Sequence, residues 1–242
     1  IQNDDMFCFS LDSILLANFV KVNYNTKRII DLGCGNAPIP LYLTLKTKAK
    51  IYGVEIQTAV YDLAKRSVEL NHLEEQIEII NADLKDIYKR NFANMFDRSE
   101  ERRVGNMFDV VISNPPYFKY IPTNNVNKNE YLTIARHEVM ATLVDIISEA
   151  RKLLIDGGAL YLVHRTERLA EIITSLEKYN FQVKRIQFVY SKTKSIDALT
   201  VLIEARKNRS SGLKVIEPLY VYNEKGEYTD EVKKIFNFPK QE

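Results

Sequence analysis

From residue 28 to about residue 205, short runs of β-branched and aromatic residues alternate with longer stretches in which apolar positions recur every three or four residues. That alternation predicts a mostly parallel sheet covered by helices on both faces, because parallel neighbours need a long crossover. The β-rich runs fall at residues 28–31, 50–55, 77–81, 108–113 and 159–163. Helices are expected at 39–45 and at 58–71, the latter with Val60, Leu63, Ala64, Val68 and Leu70 on its apolar face. A third carries Leu143, Ile146, Ile147, Ala150 and Leu154 and ends at the turn Asp156-Gly157-Gly158. The run at 108–113 is apolar on both faces, as a central strand is, and the following Asn114-Pro115-Pro116 cannot continue a ladder. After a helix at about 168–179 come two last β runs, 181–190 and 199–205. Their link, 191–197, is too short for a helical crossover, so this pair should be antiparallel. The expected whole is an α/β fold with a mostly parallel seven-stranded sheet.

Two stretches break the rhythm. Residues 91–106 are polar and charged, and Asn-Met-Phe-Asp occurs there twice, at Asn94 and at Asn106, which reads as a surface insertion. Residues 121–129 are rich in Asn and follow the Pro-Pro pair directly, where an α/β sheet is well placed to hold substrate. The 242 residues suit one domain, 1–242, with a helical lead-in over 1–27 and a carboxyl-terminal extension over 206–242. A hydrophobic fraction of 45% with 27% charged residues excludes whole-chain disorder. Cys8 and Cys34 are too few for a secreted disulfide framework, so a reducing, cytoplasmic setting is expected. Charges interrupt every long apolar run, so no membrane partner is expected. The sequence starts at Ile1 rather than Met, which leaves a targeting segment unjudged.

Candidate chemistry begins at Asp31-Leu32-Gly33-Cys34-Gly35-Asn36-Ala37-Pro38, a strand-to-helix turn whose glycines let a ligand approach the backbone. Glu55 ends the next strand, where a carboxylate can accept from both hydroxyls of a ribose. Pro38 replaces the third glycine of the dinucleotide fingerprint, and Asp31 would repel a pyrophosphate, so a nicotinamide dehydrogenase is disfavoured. S-adenosylmethionine carries an ammonium, a ribose diol and an adenine but no phosphate, and it suits this pattern. Asp83 stands where it either accepts from the adenine amine or caps the helix that follows.

Asn114-Pro115-Pro116-Tyr117 is the most specific signal in the chain. It lies at the carboxyl end of the fourth strand, the ligand edge of open α/β sheets. The Asn114 amide oxygen and the Pro115 carbonyl form a pair of acceptors for both hydrogens of a planar NH2 group. Holding those hydrogens favours pyramidal geometry and aims the nitrogen lone pair at an electrophilic methyl. Tyr117 can stack on the base, a contact worth roughly 1–3 kcal/mol.

Together these segments resemble the class I S-adenosylmethionine-dependent methyltransferases that act on exocyclic or amide nitrogens. More narrowly, Phe9-Ser10-Leu11-Asp12-Ser13-Ile14-Leu15-Leu16-Ala17, Asn114-Pro115-Pro116-Tyr117-Phe118-Lys119 and Ala135-Arg136-His137-Glu138 resemble the bacterial tRNA1(Val) adenine-37 N6-methyltransferase family. The resemblance implies a Rossmann-like fold, methylation of a tRNA anticodon stem-loop, and S-adenosylhomocysteine as the spent cofactor. It implies cofactor contacts from Phe9, Ser10, Asp31, Gly33, Gly35, Glu55, Ile56, Asp83, Leu84 and Asn114. Catalysis would fall to Asn114, Pro115 and Tyr117. Substrate contacts would come from Pro116, Tyr117, Phe118, Lys119, Arg136, His137, Lys192 and Lys194.

The remaining chemistry is bland. His72, His137 and His164 are scattered with no zinc-like spacing, so no metal is expected. Cys34 reads as a packing residue, and Arg136 with His137 and Glu138 reads either as a structural clasp or as a substrate contact. Net charge is only +2, yet Lys184, Arg185, Lys192, Lys194, Arg206, Lys207, Arg209 and Lys214 gather near the last strands. That cluster is either a solvated face or a phosphate-backbone contact, and Tyr120 and Tyr190 could stack bases near it. The rival enzymes are a release-factor glutamine N5-methyltransferase, which would carry a helical amino-terminal domain, and an rRNA adenine or guanine methyltransferase. A non-catalytic RNA-docking module is disfavoured by the intact Asn-Pro-Pro-Tyr. Oligomeric state is not legible.

Overall fold

A computed structural model of the chain describes residues 10–88, 107–117 and 141–236. The expected insertion and the Asn-rich loop lie outside the described residues. Helix α1, Leu11–Phe19, starts at Ser10, whose hydroxyl accepts from the Ser13 amide and caps the first turn. There follow β1 Arg28–Leu32, α2 Pro38–Leu43, β2 Lys50–Glu55, α3 Thr58–Leu70, β3 Ile77–Asn81, a 3-10 turn Leu84–Asp86 and β4 Phe108–Ser113. Then come α4 Leu143–Leu153, β5 Leu154–Arg165, a 3-10 turn Thr166–Arg168, α5 Leu169–Lys178, β6 Phe181–Lys192 and β7 Thr200–Lys207. The chain continues through β8 Lys214–Val215, β9 Leu219–Tyr222 and α6 Asp230–Phe236.

The sheet runs β3-β2-β1-β4-β5-β7-β6-β8, with β9 also on β6. Strands β1 to β5 pair in parallel, and β7 is antiparallel to both β5 and β6. This is the expected sheet with its antiparallel end, but it has nine strands among the described residues rather than seven. The added two come from the carboxyl-terminal extension and lie parallel against β6. Strand β8 has only two residues, too few to register as a pattern in sequence. The extension also returns α6 to the main body, where the Tyr42 hydroxyl donates to the Ile235 carbonyl at 3.0 Å.

Strand β5 begins earlier than its pattern indicates. Leu154 closes α4 in an extended conformation and pairs with Phe108, and the register then jumps so that Ala159 pairs with Val110. Asp156-Gly157-Gly158 is therefore a bulge inside the strand, with Gly157 at φ 77. Leu70 at the end of α3 is exposed rather than part of the apolar face.

Alternation along the strands divides the core in two. Ile30, Tyr52, Val111 and Leu162 face α4 and α5, whereas Ile29, Ile51, Val110 and Val163 face α1, α2 and α6. Because β6, β8 and β9 run in the same sense as β1 to β5, the carboxyl ends of all strands but β7 share one edge of the sheet.

Candidate active site

Four carboxyl-edge segments converge on one cavity of about 130 Å³, lined by Gly33, Cys34, Gly35, Glu55, Ile56, Leu84 and Asn114 to Pro116, with Ser13 from α1. The turn after β1 needs its glycines: Gly33 and Gly35 have φ 77 and 55, and a Cβ on either would project into open space. The amides of Gly33 and Cys34 donate to the Val54 carbonyl, both at 2.9 Å, which ties the turn to β2. Glu55 continues that tie, accepting from the Gly35 amide at 3.1 Å through one oxygen and from the Gln57 amide at 2.9 Å through the other. The Ile56 amide and the Gln57 side chain also bond to this carboxylate. Burial raises the Glu55 pKa against the lowering pull of these amides.

Asp31 lies one residue deeper than the cavity wall. Asp31 is 1% exposed, and both carboxylate oxygens lack a hydrogen-bond partner among the described residues, a costly state that calls for a cationic or donor ligand. Burial and the neighbouring Glu55 charge push its pKa well up. Asp83 is occupied: it caps the 3-10 turn by accepting from the Lys85 amide at 2.9 Å, and Lys85 Nζ sits 3.3 Å away. Its neighbour Leu84, rather than Asp83, is on the wall. Cys34 is buried, and burial with the Asp31 and Glu55 charges raises its thiol pKa well up, so it is a packing residue and no thiolate nucleophile.

The Asn114 amide is held from α1. Its Nδ2 donates to Ser13 Oγ at 3.0 Å and lies 3.4 Å from Ser10 Oγ, which leaves Oδ1 as the acceptor. The Tyr117 hydroxyl lies 2.9 Å from that Oδ1 and 2.8 Å from Asp12 Oδ2, so one proton faces two acceptors. The Tyr117 ring packs on His164 with centroids 5.2 Å apart and planes at 46°. Arg168 donates to the Tyr117 carbonyl at 3.3 Å and pairs with Glu171 at 2.9 Å. His164 is fully buried beneath Tyr117, and burial followed by the Arg168 charge lowers its pKa to about 4, so it is neutral. The Asp12 pKa is raised by burial.

Ser13, Asp12, His164 and Arg168 were not assigned site roles from sequence. The Ser10/Ser13 spacing at the start of a helix is the readable signal for the first of these, because i and i+3 share a face. Phe9, Phe118, Lys119, Arg136 and His137 lie outside the described residues, as does Tyr120.

The basic cluster does not form one patch. Lys192 and Lys194 are exposed at the carboxyl edge, with Lys194 Nζ 2.9 Å from Glu224. Lys184, Arg185, Arg206, Lys207, Arg209 and Lys214 belong to the opposite, amino edge. Several are committed to the fold. Arg185 and Arg206 both grip Glu204, at 3.0 and 2.9 Å, and buried Lys207 donates to the Leu154 carbonyl at 2.6 Å. The expected cluster thus contributes only Lys192 and Lys194 beside the cavity edge.

Residues 49–196, more than half of the chain, match the family model described as Eco57I restriction-modification methylase. The chain belongs to that methylase family. The fold agrees: an Agrobacterium tumefaciens protein described as a predicted O-methyltransferase superposes with a TM-score of 0.68 at 25% identity, over 93% of this chain and 95% of that one. A Porphyromonas gingivalis protein named tRNA1(Val) (adenine(37)-N6)-methyltransferase is 28% identical over 65% of this chain and 57% of its own length. A Shewanella sediminis protein of the same name is 20% identical over 95% of this chain and 92% of its own length. The match to the Porphyromonas relative thus spans a little over half of that relative's length. The methylase family and the class I fold imply S-adenosylmethionine as cofactor. The residues present fit it: a buried carboxylate at Asp31 without a partner among the described residues, the Glu55 carboxylate on the cavity wall, and open space above two glycines.

Proposed function

We propose that this protein methylates N6 of an adenine in RNA, specifically adenine 37 in the anticodon loop of a valine tRNA. The supporting observation is the fixed orientation of Asn114. With Nδ2 held by Ser13 at 3.0 Å, Oδ1 is left as the acceptor, taking the Tyr117 hydroxyl at 2.9 Å, and both Asn114 and Pro115 line the cavity shared with the glycine turn. The Pro115 carbonyl accepts from no group among the described residues. Asn114 Oδ1 and this carbonyl would receive the two hydrogens of the adenine amine, as Tyr117 gives up or shares its bond to Oδ1. Tyr117, backed by His164, would stack on the base.

The bound cofactor supplies an electrophilic methyl on a sulfonium. Asp31 and Glu55 would hold its ammonium and ribose ends, and Leu84 and Ile56 would flank its adenine. The acceptor pair orients the amine for attack, and electrostatic placement rather than a general base carries the rate. The methylated nitrogen is strongly acidic and releases its proton to water. An anticodon loop suits this pocket because a single-stranded base leaves its stack at little cost.

The test is incubation with labelled S-adenosylmethionine and unmodified tRNA transcripts, followed by mass-spectrometric mapping of methyladenosine. Methyl on N6 of adenine 37 is expected. Incorporation into a release-factor glutamine or into rRNA alone would overturn the substrate assignment. Asn114→Ala should lower turnover at least about 100-fold, the scale of losing an oriented transition-state contact, with cofactor affinity little changed. Equal losses in both would refute the role of Asn114.

A further inference from the structure

At the amino edge of the sheet, opposite the cavity, two open depressions share Val22 and Lys46 and merge into one trough, with volumes of about 770 and 530 Å³. Its walls carry Lys21, Lys27, Lys46, Lys48 and Arg185, and no carboxylate is among the described lining residues. Of the acids nearby, Asp109 accepts the Lys27 and Arg28 amides at 2.8 and 2.9 Å, Glu204 is gripped by Arg185 and Arg206, and exposed Glu217 adjoins Ile216 at one end. Two of the five cations also serve the fold. Lys46 Nζ donates to the carbonyls of Ala17, Asn18 and Val20, and Arg185 donates to that of Phe19. Lys21, Lys27 and Lys48 are exposed and make no ion pair among the described residues. Tyr24, 89% exposed, stands on the rim.

We infer that this trough holds the phosphate backbone of the RNA whose base enters the Asn114 pocket. Exposed ammonium groups at Lys21, Lys27 and Lys48, with no carboxylate among the described lining residues, fit a polyanion, and contacts of this kind position a nucleic acid without reading its sequence. The two sites are linked by one short helix. α1 begins at Ser10, which lies against Asn114, and ends at Phe19, next to Lys21. At about 1.5 Å per residue its 9 residues span roughly 14 Å, well within the length of an RNA stem. The inference rests on the RNA reading above and adds a contact surface to it.

The test measures binding of a fluorescent tRNA transcript across a salt series, for the wild-type chain and for Lys27→Glu/Lys48→Glu. Lys65→Glu/Arg66→Glu on α3 supplies the same charge change elsewhere. The trough variant should bind about tenfold or more weaker near 50 mM salt, with a log-log salt slope shallower by about 2, one unit per lost phosphate contact. Its melting temperature, its affinity for S-adenosylhomocysteine and its turnover at saturating RNA should match wild type, and the α3 variant should bind almost normally. Unchanged affinity and slope in the trough variant would overturn the inference, as would a wild-type chain that binds no RNA. RNA binding lost in the trough variant, from a wild-type chain that never methylates adenine, would leave the trough standing and remove the proposed reaction. Normal methylation with an indifferent trough variant would do the reverse.

Discussion

Replacing Ser13 by Ala removes the group that orients the Asn114 amide. Asn114 Nδ2 keeps only Ser10 Oγ, at 3.4 Å, in place of the 3.0 Å bond to Ser13. A neutral hydrogen bond contributes about 0.5–1.5 kcal/mol net, so the preference for presenting Oδ1 to the substrate weakens by about 1 kcal/mol. A flipped amide would oppose its own NH2 to the incoming NH2. Including that mismatch, the loss at the transition state is about 1–2 kcal/mol, or roughly 5- to 30-fold in rate. Ser13 is buried, so the fold should lose a similar 1–2 kcal/mol and the melting temperature a few degrees. Single-turnover methyl transfer reads the rate, and calorimetric titration with S-adenosylhomocysteine reads the cofactor site, which should change by less than about threefold for a loss confined to Asn114. The decisive comparison is the double variant. If Ser13 acts through Asn114, removing it from Asn114→Ala should cost less than about twofold further, because the group it orients is gone. Rate losses that simply multiply would refute this account and make Ser13 a packing residue.

Glu55→Gln replaces one of two acceptor oxygens with a donor that faces an amide N–H, since the carboxylate accepts from both Gly35 and Gln57. Bonds to a charged group contribute about 1.5–3 kcal/mol, so S-adenosylhomocysteine affinity should fall about 10- to 100-fold by calorimetry while RNA affinity holds. The pH dependence of stability tests His164, whose folded pKa of about 4 lies below the usual value of 6.5. The unfolded chain binds the extra proton first, so this residue's contribution is complete above pH 6.5 and is lost as pH falls toward 4. The raised Asp12, Asp31 and Glu55 pKa values act with the opposite sign, so the readout is the difference between wild type and His164→Gln in urea denaturation. That difference should shift by about 2 kcal/mol against the wild type between pH 7 and pH 5. A constant difference would show that His164 is not held neutral.

The central sheet was legible because each of its strands combines β-branched residues with a terminator the backbone enforces. Strands 50–55, 77–81 and 108–113 match their expected bounds residue for residue, and Asn114-Pro115-Pro116 ends β4 where a ladder cannot continue. Local pattern failed where long-range pairing decides. Leu154 has the spacing of a helix residue, but its partner Phe108 draws it into β5 across the Gly157 bulge. β8 and β9 exist only because β6 offers an open edge. The glycine turn, Glu55 and Asn114 were readable because their spacing from strand ends carries the chemistry. The roles of Ser13 and Asp12 were not, because they depend on α1 being carried to the end of β4, more than 100 positions away in sequence. The basic cluster misled for a related reason. Adjacent charges on antiparallel strands fall at opposite edges of the sheet, and a buried Glu204 takes two of the cations.

Helix α1 connects these two edges, and its ends explain how firmly. Its first turn is capped by Ser10 and carries Asp12, a negative charge where the helix dipole favours one. At the other end a helix leaves four carbonyls without internal partners. Here Lys46 takes those of Ala17, Asn18 and Val20, and Arg185 takes that of Phe19 while its guanidinium carbon rests 3.9 Å from the Phe19 ring centroid. Sliding α1 would break these bonds together with the Ser13–Asn114 contact. On the reading proposed above, the separation between the trough and the acceptor pair is therefore fixed at about one helix length. An RNA would have to present a free base roughly 14 Å along from a continuous run of phosphates, whatever its sequence. A stem closed by a small loop meets that requirement. An unstructured single strand meets it only at the entropic cost of being ordered on binding.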